Sequence, residues 1–73
     1  PVEFLDIPTV AAYLGVNPQS LRCSIRKGVP WAYMLNTATF MIPRESFVFY
    51  HKYGAPTIVD GKLLSDVIKS LTT

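Results

Sequence analysis

The sequence predicts a small α+β domain ordered as helix, turn, helix, two-stranded hairpin, helix and a short C-terminal amphipathic segment. Three observations predict it. Residues 7–14 and 18–27 each carry apolar side chains at helical spacing between a capping residue and a glycine. Residues 31–42 gather aromatic and apolar strand formers on either side of a short polar turn. Residues 44–53 return to helical spacing before another glycine. A length of 73 residues fits one domain, read as a body over 1–54 with an extension over 55–73. The composition, 49% hydrophobic and 16% charged, is that of a globular and not a disordered chain.

Asp6 reads as the N-cap of the first helix, Ile7–Leu14. Pro8 is tolerated there, because first-turn N–H groups have no intrahelical acceptor. Ile7, Val10, Ala11 and Leu14 form its buried face, Gly15 ends it, and Val16 is expected to pack back over the connection. Asn17 caps the second helix, Pro18 fits its first position, and Gly28 stops it. Leu21 and Ile25 make its apolar seam, and Gln19, Ser20, Arg22, Arg26 and Lys27 project outward. Two short helices joined by a glycine-containing turn make a helix-turn-helix arrangement.

Val29-Pro30 forces extended backbone after that helix. Trp31–Leu35 and Thr39–Ile42 then read as a hairpin around Asn36-Thr37-Ala38. Pro43 opens a third helix over Arg44–Tyr53, with Glu45 in the first turn suiting the helix dipole and Gly54 at the end. Trp31, Tyr33, Phe40 and Phe47 are expected in the core, Cys23 as a packing residue and His51 on a partly exposed helix face. Ala55-Pro56-Thr57 is a joint. Beyond it two readings stay open: a helix over Lys62–Leu71, or a hairpin through Asp60-Gly61 joining Ile58-Val59 to Leu63-Leu64.

The net charge of +2 is modest, but its distribution is informative. The acids are Glu3, Asp6, Glu45, Asp60 and Asp66, so none falls between Ile7 and Arg44, the interval that holds Arg22, Arg26 and Lys27. A locally positive middle suits a phosphate-facing surface. Cys23 and His51 are single of their kind, which excludes an internal disulfide and a zinc site of the usual type. No Gly-rich phosphate loop, nucleophile–histidine pair or carboxylate cluster is present, so an enzyme is not expected, nor any cofactor. No apolar run approaches the roughly 20 residues of a membrane span, and no signal peptide is read, so a cytoplasmic chain is expected.

The motifs Ala11-Ala-Tyr-Leu-Gly-Val16, Ser20-Leu-Arg22, Ile25-Arg-Lys-Gly28, Pro30 and Ile42-Pro-Arg-Glu45, taken in order, resemble the winged helix-turn-helix domains of the MerR/excisionase superfamily. The resemblance runs from Asp6 to Tyr53 and is closest to small excisionases of phages and mobile elements. It implies sequence-specific binding to double-stranded DNA, with the second helix in the major groove and the hairpin, or wing, on the backbone or minor groove. It implies several copies on adjacent sites beside an attachment site, bending of the DNA, and contact with an integrase so that recombination runs toward excision. It also implies a bacterial or phage-infected bacterial cytoplasm and, for many members, repression of nearby promoters. The chain departs from the family in two places. Ser24 stands where an aromatic residue is common, so the core must be filled from elsewhere, as by Trp31, and the wing lacks arginine.

Residue by residue, Gln19, Ser20, Arg22, Arg26 and Lys27 are the candidates for DNA contact from the second helix. Arg22 and Arg26 serve either guanine edges or phosphates, and Ser20 serves equally as a first-turn capping residue. Asn36, Thr37, Thr39 and Arg44 are the candidates from the wing and its flank; Arg44 can instead pair with an acid, and Thr39 can be a plain strand residue. Leu64, Ile68 and Leu71 are the candidates for partner contact, or for a cap on the core. Three functions remain open: an excisionase, a phage-type repressor of a genetic switch, and a protein-interaction module without DNA binding, which the uncharged wing favours.

Overall fold

The computed structural model describes residues 2–54, 58–59 and 61–72. Four helices and a three-stranded antiparallel sheet organise them. The chain runs β1 (Phe4–Leu5), α1 (Ile7–Leu14), α2 (Pro18–Lys27), β2 (Tyr33–Met34), β3 (Phe40–Pro43) and α3 (Arg44–Tyr53). It continues through β4 (Ile58–Val59), β5 (Lys62–Leu63) and α4 (Leu64–Thr72).

The caps act as their chemistry predicts. The Asp6 carboxylate accepts the Thr9 N–H at 2.8 Å, and the Asn17 side chain accepts the Gln19 N–H at 2.7 Å. Gly15 closes α1 in the left-handed region, at φ 70°, ψ 32°, where a side chain would be strained. Gly28 closes α2 with φ 112° and ψ 120°, also positive in φ but outside the left-handed helical well. The hairpin loop is the three-residue turn expected: the Leu35 N–H donates to the Thr39 carbonyl at 3.0 Å across Asn36-Thr37-Ala38.

The core is one cluster, with Leu5 of β1 and Met34 of β2 packed half-buried against it. Ile7, Val10 and Ala11 come from α1, Leu21 and Ile25 from α2, Trp31 and Ala32 from the approach to β2, Ile42 from β3 and Phe47 from α3. Trp31 meets Phe47 edge to face at a centroid distance of 5.2 Å within this cluster. Tyr33 is buried, as expected, whereas Phe40, expected in the core, is half-buried against the edge of the cluster.

Several elements depart from the expectations. The sequence signals no strand at the N-terminus, yet Phe4 pairs with Pro43 and Leu5 with Ile42, giving the sheet order β1-β3-β2. The pairing gives the free edge of β3 a partner, which buried backbone requires. Val16 does not pack back: its side chain is exposed, although its N–H closes on the Ala11 carbonyl at 3.0 Å after Gly15. Cys23 is exposed and not a packing residue, since it lies opposite the Leu21–Ile25 seam of α2. At the C-terminus each of the two open readings is realised in part, with shifted bounds: the second strand is Lys62–Leu63 and not Leu63-Leu64, and the helix begins at Leu64 and not Lys62. Ile58 pairs with Leu63 and Val59 with Lys62, and the helix follows immediately from Leu64. The Ala55-Pro56-Thr57 joint and Asp60 lie outside the described residues.

α4 packs against β2. Ile68 and Ser65 are buried there, and the Ser65 hydroxyl donates to the Pro30 carbonyl at 3.2 Å. None of the described helices is long and apolar enough to cross a membrane.

Candidate nucleic-acid interface

α2 is presented by its own seam. With Leu21 and Ile25 buried against the core, a rotation of about 100° per residue aims Gln19, Cys23 and Lys27 away from the domain. Arg22 and Arg26 flank that line on one side, Ser20 and Ser24 on the other. All are exposed except Arg22, which is half-buried. The Arg22 guanidinium approaches the Gln19 side-chain oxygen at 3.4 Å, a long contact that leaves most of its five donors free for a ligand. Arg26 lies over the Phe40 ring, 5.3 Å from its centroid, so this guanidinium is held at the root of the β2–β3 hairpin. That contact joins helix face and hairpin into one surface. No acid lies on α2 or on the hairpin. Lys27 and Arg26 also sit in the last turn, where cations suit the helix dipole.

The other candidates divide. The Asn36 side-chain oxygen accepts from the Ala38 and Thr39 N–H groups, at 2.9 and 3.0 Å, so it shapes the loop and keeps only its amide N–H groups for a ligand. Thr37 is exposed at the hairpin tip, and Thr39 is half-buried at its base. Arg44 is not gathered with them. Four residues of extended backbone separate it from Phe40, about 13 Å at 3.3 Å per residue. Its Nε lies 3.8 Å from the Glu3 carboxylate, the acid pairing left open in the sequence. Both side chains are exposed, so the pair contributes little and is screened by salt.

On α4, Leu64, Ile68 and Leu71 all line one groove beside Val2; within it Ile68 is buried and Leu71 is exposed. Sequence reasoning missed Cys23 as the centre of the outward α2 face, although helical spacing from Leu21 and Ile25 contains that signal. It also missed the Phe40 ring beneath Arg26, for which no local signal exists.

Away from this surface, Thr9 holds the Asp6 carboxyl below the usual carboxylate range, through its hydroxyl and then its backbone N–H. His51 stacks among Trp31, Phe47 and Tyr50, and its Nδ1 lies 2.8 Å from the Phe47 carbonyl. A carbonyl only accepts, so Nδ1 carries the proton. Among the described residues no group of three or more His, Cys, Asp or Glu side chains is placed to hold a metal ion.

Comparison with family models, curated proteins and solved structures finds no match to this chain.

Proposed function

We propose that this chain is a winged helix-turn-helix protein that binds double-stranded DNA sequence-specifically, of the excisionase type. One observation carries the reading: an acid-free outward face of α2 that bears Gln19, Arg22, Arg26 and Lys27 and is joined to the hairpin through Arg26 on Phe40. The element order α1, turn, α2, hairpin, α3 supports the winged arrangement, and the motif resemblance supports the excisionase assignment. On this reading α2 enters the major groove, which admits a helix and presents base-specific acceptors and donors to it. Arg22 and Arg26 supply paired donors to guanine or phosphate, Lys27 neutralises phosphate, and Thr37 reaches the backbone from the hairpin tip. Bound beside an attachment site, adjacent copies bend the DNA and assist an integrase toward excision. The chain acts by binding and not by catalysis.

The test is a fluorescence-anisotropy titration against duplexes tiled across the protein's own locus at two salt concentrations. If the three α2 cations neutralise three phosphates, log K falls with log salt at a slope of about −2.7, roughly 40-fold between about 50 and 200 mM. Arg22→Ala with Arg26→Ala should weaken binding by more than about tenfold, given roughly 1–3 kcal/mol per well-made arginine contact, and reduce the slope to about −1. A bulky maleimide on Cys23 should have a similar effect on affinity. Tight binding confined to repeats beside a recombination site supports the excisionase, and confinement to a promoter makes the chain a repressor. Equal binding by the double variant refutes the α2 reading, and no specific binding anywhere leaves an interaction module.

A further inference from the structure

α3 is apolar on both faces. Ser46 and Phe47 turn inward and Tyr50 is half-buried, while Glu45, Val48, Phe49 and Lys52 lie exposed at spacings of three, four and seven residues. Those spacings make one stripe two turns long, about 10.5 Å at 1.5 Å per residue. Around it Val48 is 41% exposed, Phe49 43%, Tyr53 61% and, from α1, Tyr13 73%. Phe49 and Tyr53 stack on each other at 5.6 Å instead of entering the core. A helix with a bare apolar stripe opposite its core face has a surface fit for a partner.

We propose that the partner is a second copy of this chain, seated as an antiparallel α3–α3 pair about a two-fold axis passing between Val48 and Phe49. The charge pattern argues for this occupant. The stripe carries an acid at its N-terminal end and a lysine at its C-terminal end, with apolar residues between. Half a turn about its midpoint sets Glu45 of each copy against Lys52 of the other, Val48 and Phe49 against their counterparts, and the two helix dipoles antiparallel. An isologous interface requires this self-complementarity. The helix dipole alone explains the two charges, but not the exposed apolar residues between them.

Two grooves flank the stripe and would receive the neighbour's side chains. One, of about 310 Å³, lies between Val2, Glu45 and Leu71; the other, of about 490 Å³, lies between Tyr13, Val48 and Lys52. A specific dimer at the small end buries about 600 Å² per copy, a modest part of the 4773 Å² available. No α2 residue lines either groove, so the α2 face stays open in the dimer.

Sedimentation equilibrium without DNA tests the dimer separately from the DNA-binding reading. The wild-type mass should rise with concentration from 8.1 kDa and stop at twice that value. Glu45→Lys and Lys52→Glu should each stay monomeric where the wild type is dimeric, because each sets like charges together twice. Mixing the two variants in equal amounts should restore the dimer, because both contacts then join opposite charges. Phe49→Ser, which changes neither helix end, should also stay monomeric with unchanged far-ultraviolet circular dichroism. A wild type monomeric up to about 1 mM, the weak end of specific association, overturns the proposal. So does growth beyond two copies, dimerisation of the single variants like the wild type, or a mixture that remains monomeric.

Discussion

Truncating Ile68 to alanine measures how far α4 belongs to the folded body. Ile68 is 5% exposed, against 77% for Leu71 on the same helix. The change removes three carbons from a buried site. At about 0.8 kcal/mol per buried methylene the transfer loss is roughly 2.4 kcal/mol, and the cavity left behind brings the total to about 2–4 kcal/mol. A domain of 73 residues has about 4–11 kcal/mol in all, so the loss is a large share. Leu71→Ala, at an exposed position, should change stability by less than about 0.5 kcal/mol. Trp31 is the sole tryptophan, is buried in the core, and follows the Pro30 carbonyl that Ser65 holds. Its fluorescence in a urea titration therefore reports whether loosening α4 reaches the core. With an m value near 1 kcal/mol/M, the Ile68→Ala midpoint should fall by about 2 M or more. If Ile68→Ala and Leu71→Ala shift the midpoint equally, α4 is not part of the cooperative unit. Removing residues 58–73 would then spare the fold; on the packing described, that deletion destabilises it.

Two further outcomes follow from single hydrogen-bonding groups. The Asp6 carboxyl is held below its ordinary range in the folded protein, so in acid the unfolded chain binds the extra proton. Its contribution is full above the unfolded carboxylate value and is lost as pH falls through the depressed folded one. Asp6→Asn, which keeps a capping oxygen without titrating, should flatten that acid limb in urea midpoints measured across pH; an unchanged limb would assign it to another group. Ser46 is 3% exposed and its hydroxyl has no hydrogen-bond partner among the described residues, so Ser46→Ala should be neutral or stabilising by up to about 1 kcal/mol in thermal unfolding. A clear loss of stability would show that the hydroxyl is bonded.

The sequence by itself determined the elements that depend on neighbours a few residues apart. Asp6 and Asn17 accept N–H groups within their own first turns, Gly15 and Gly54 relieve positive φ, and the Leu21–Ile25 spacing sets which face of α2 turns inward. Asn36 closes its own loop, so the three-residue hairpin turn was legible as well. These local interactions hold with little regard for the rest of the chain, and they placed the outward residues of α2 before any tertiary contact was known.

Tertiary structure decided whatever joins distant segments. β1 exists because Phe4 and Leu5 meet an edge of β3 almost forty residues away, and two residues without periodicity cannot announce that pairing. Arg26 and Arg44 are alike in sequence, yet one rests on Phe40 and the other faces Glu3, because each takes whatever the fold brings within reach. Ile68 and Leu71 share one apolar stripe, but the position of β2 beneath α4 buries the first and leaves the second in solvent. Helical periodicity fixes a face; only the surface it meets decides which residues of that face are core and which remain for a partner.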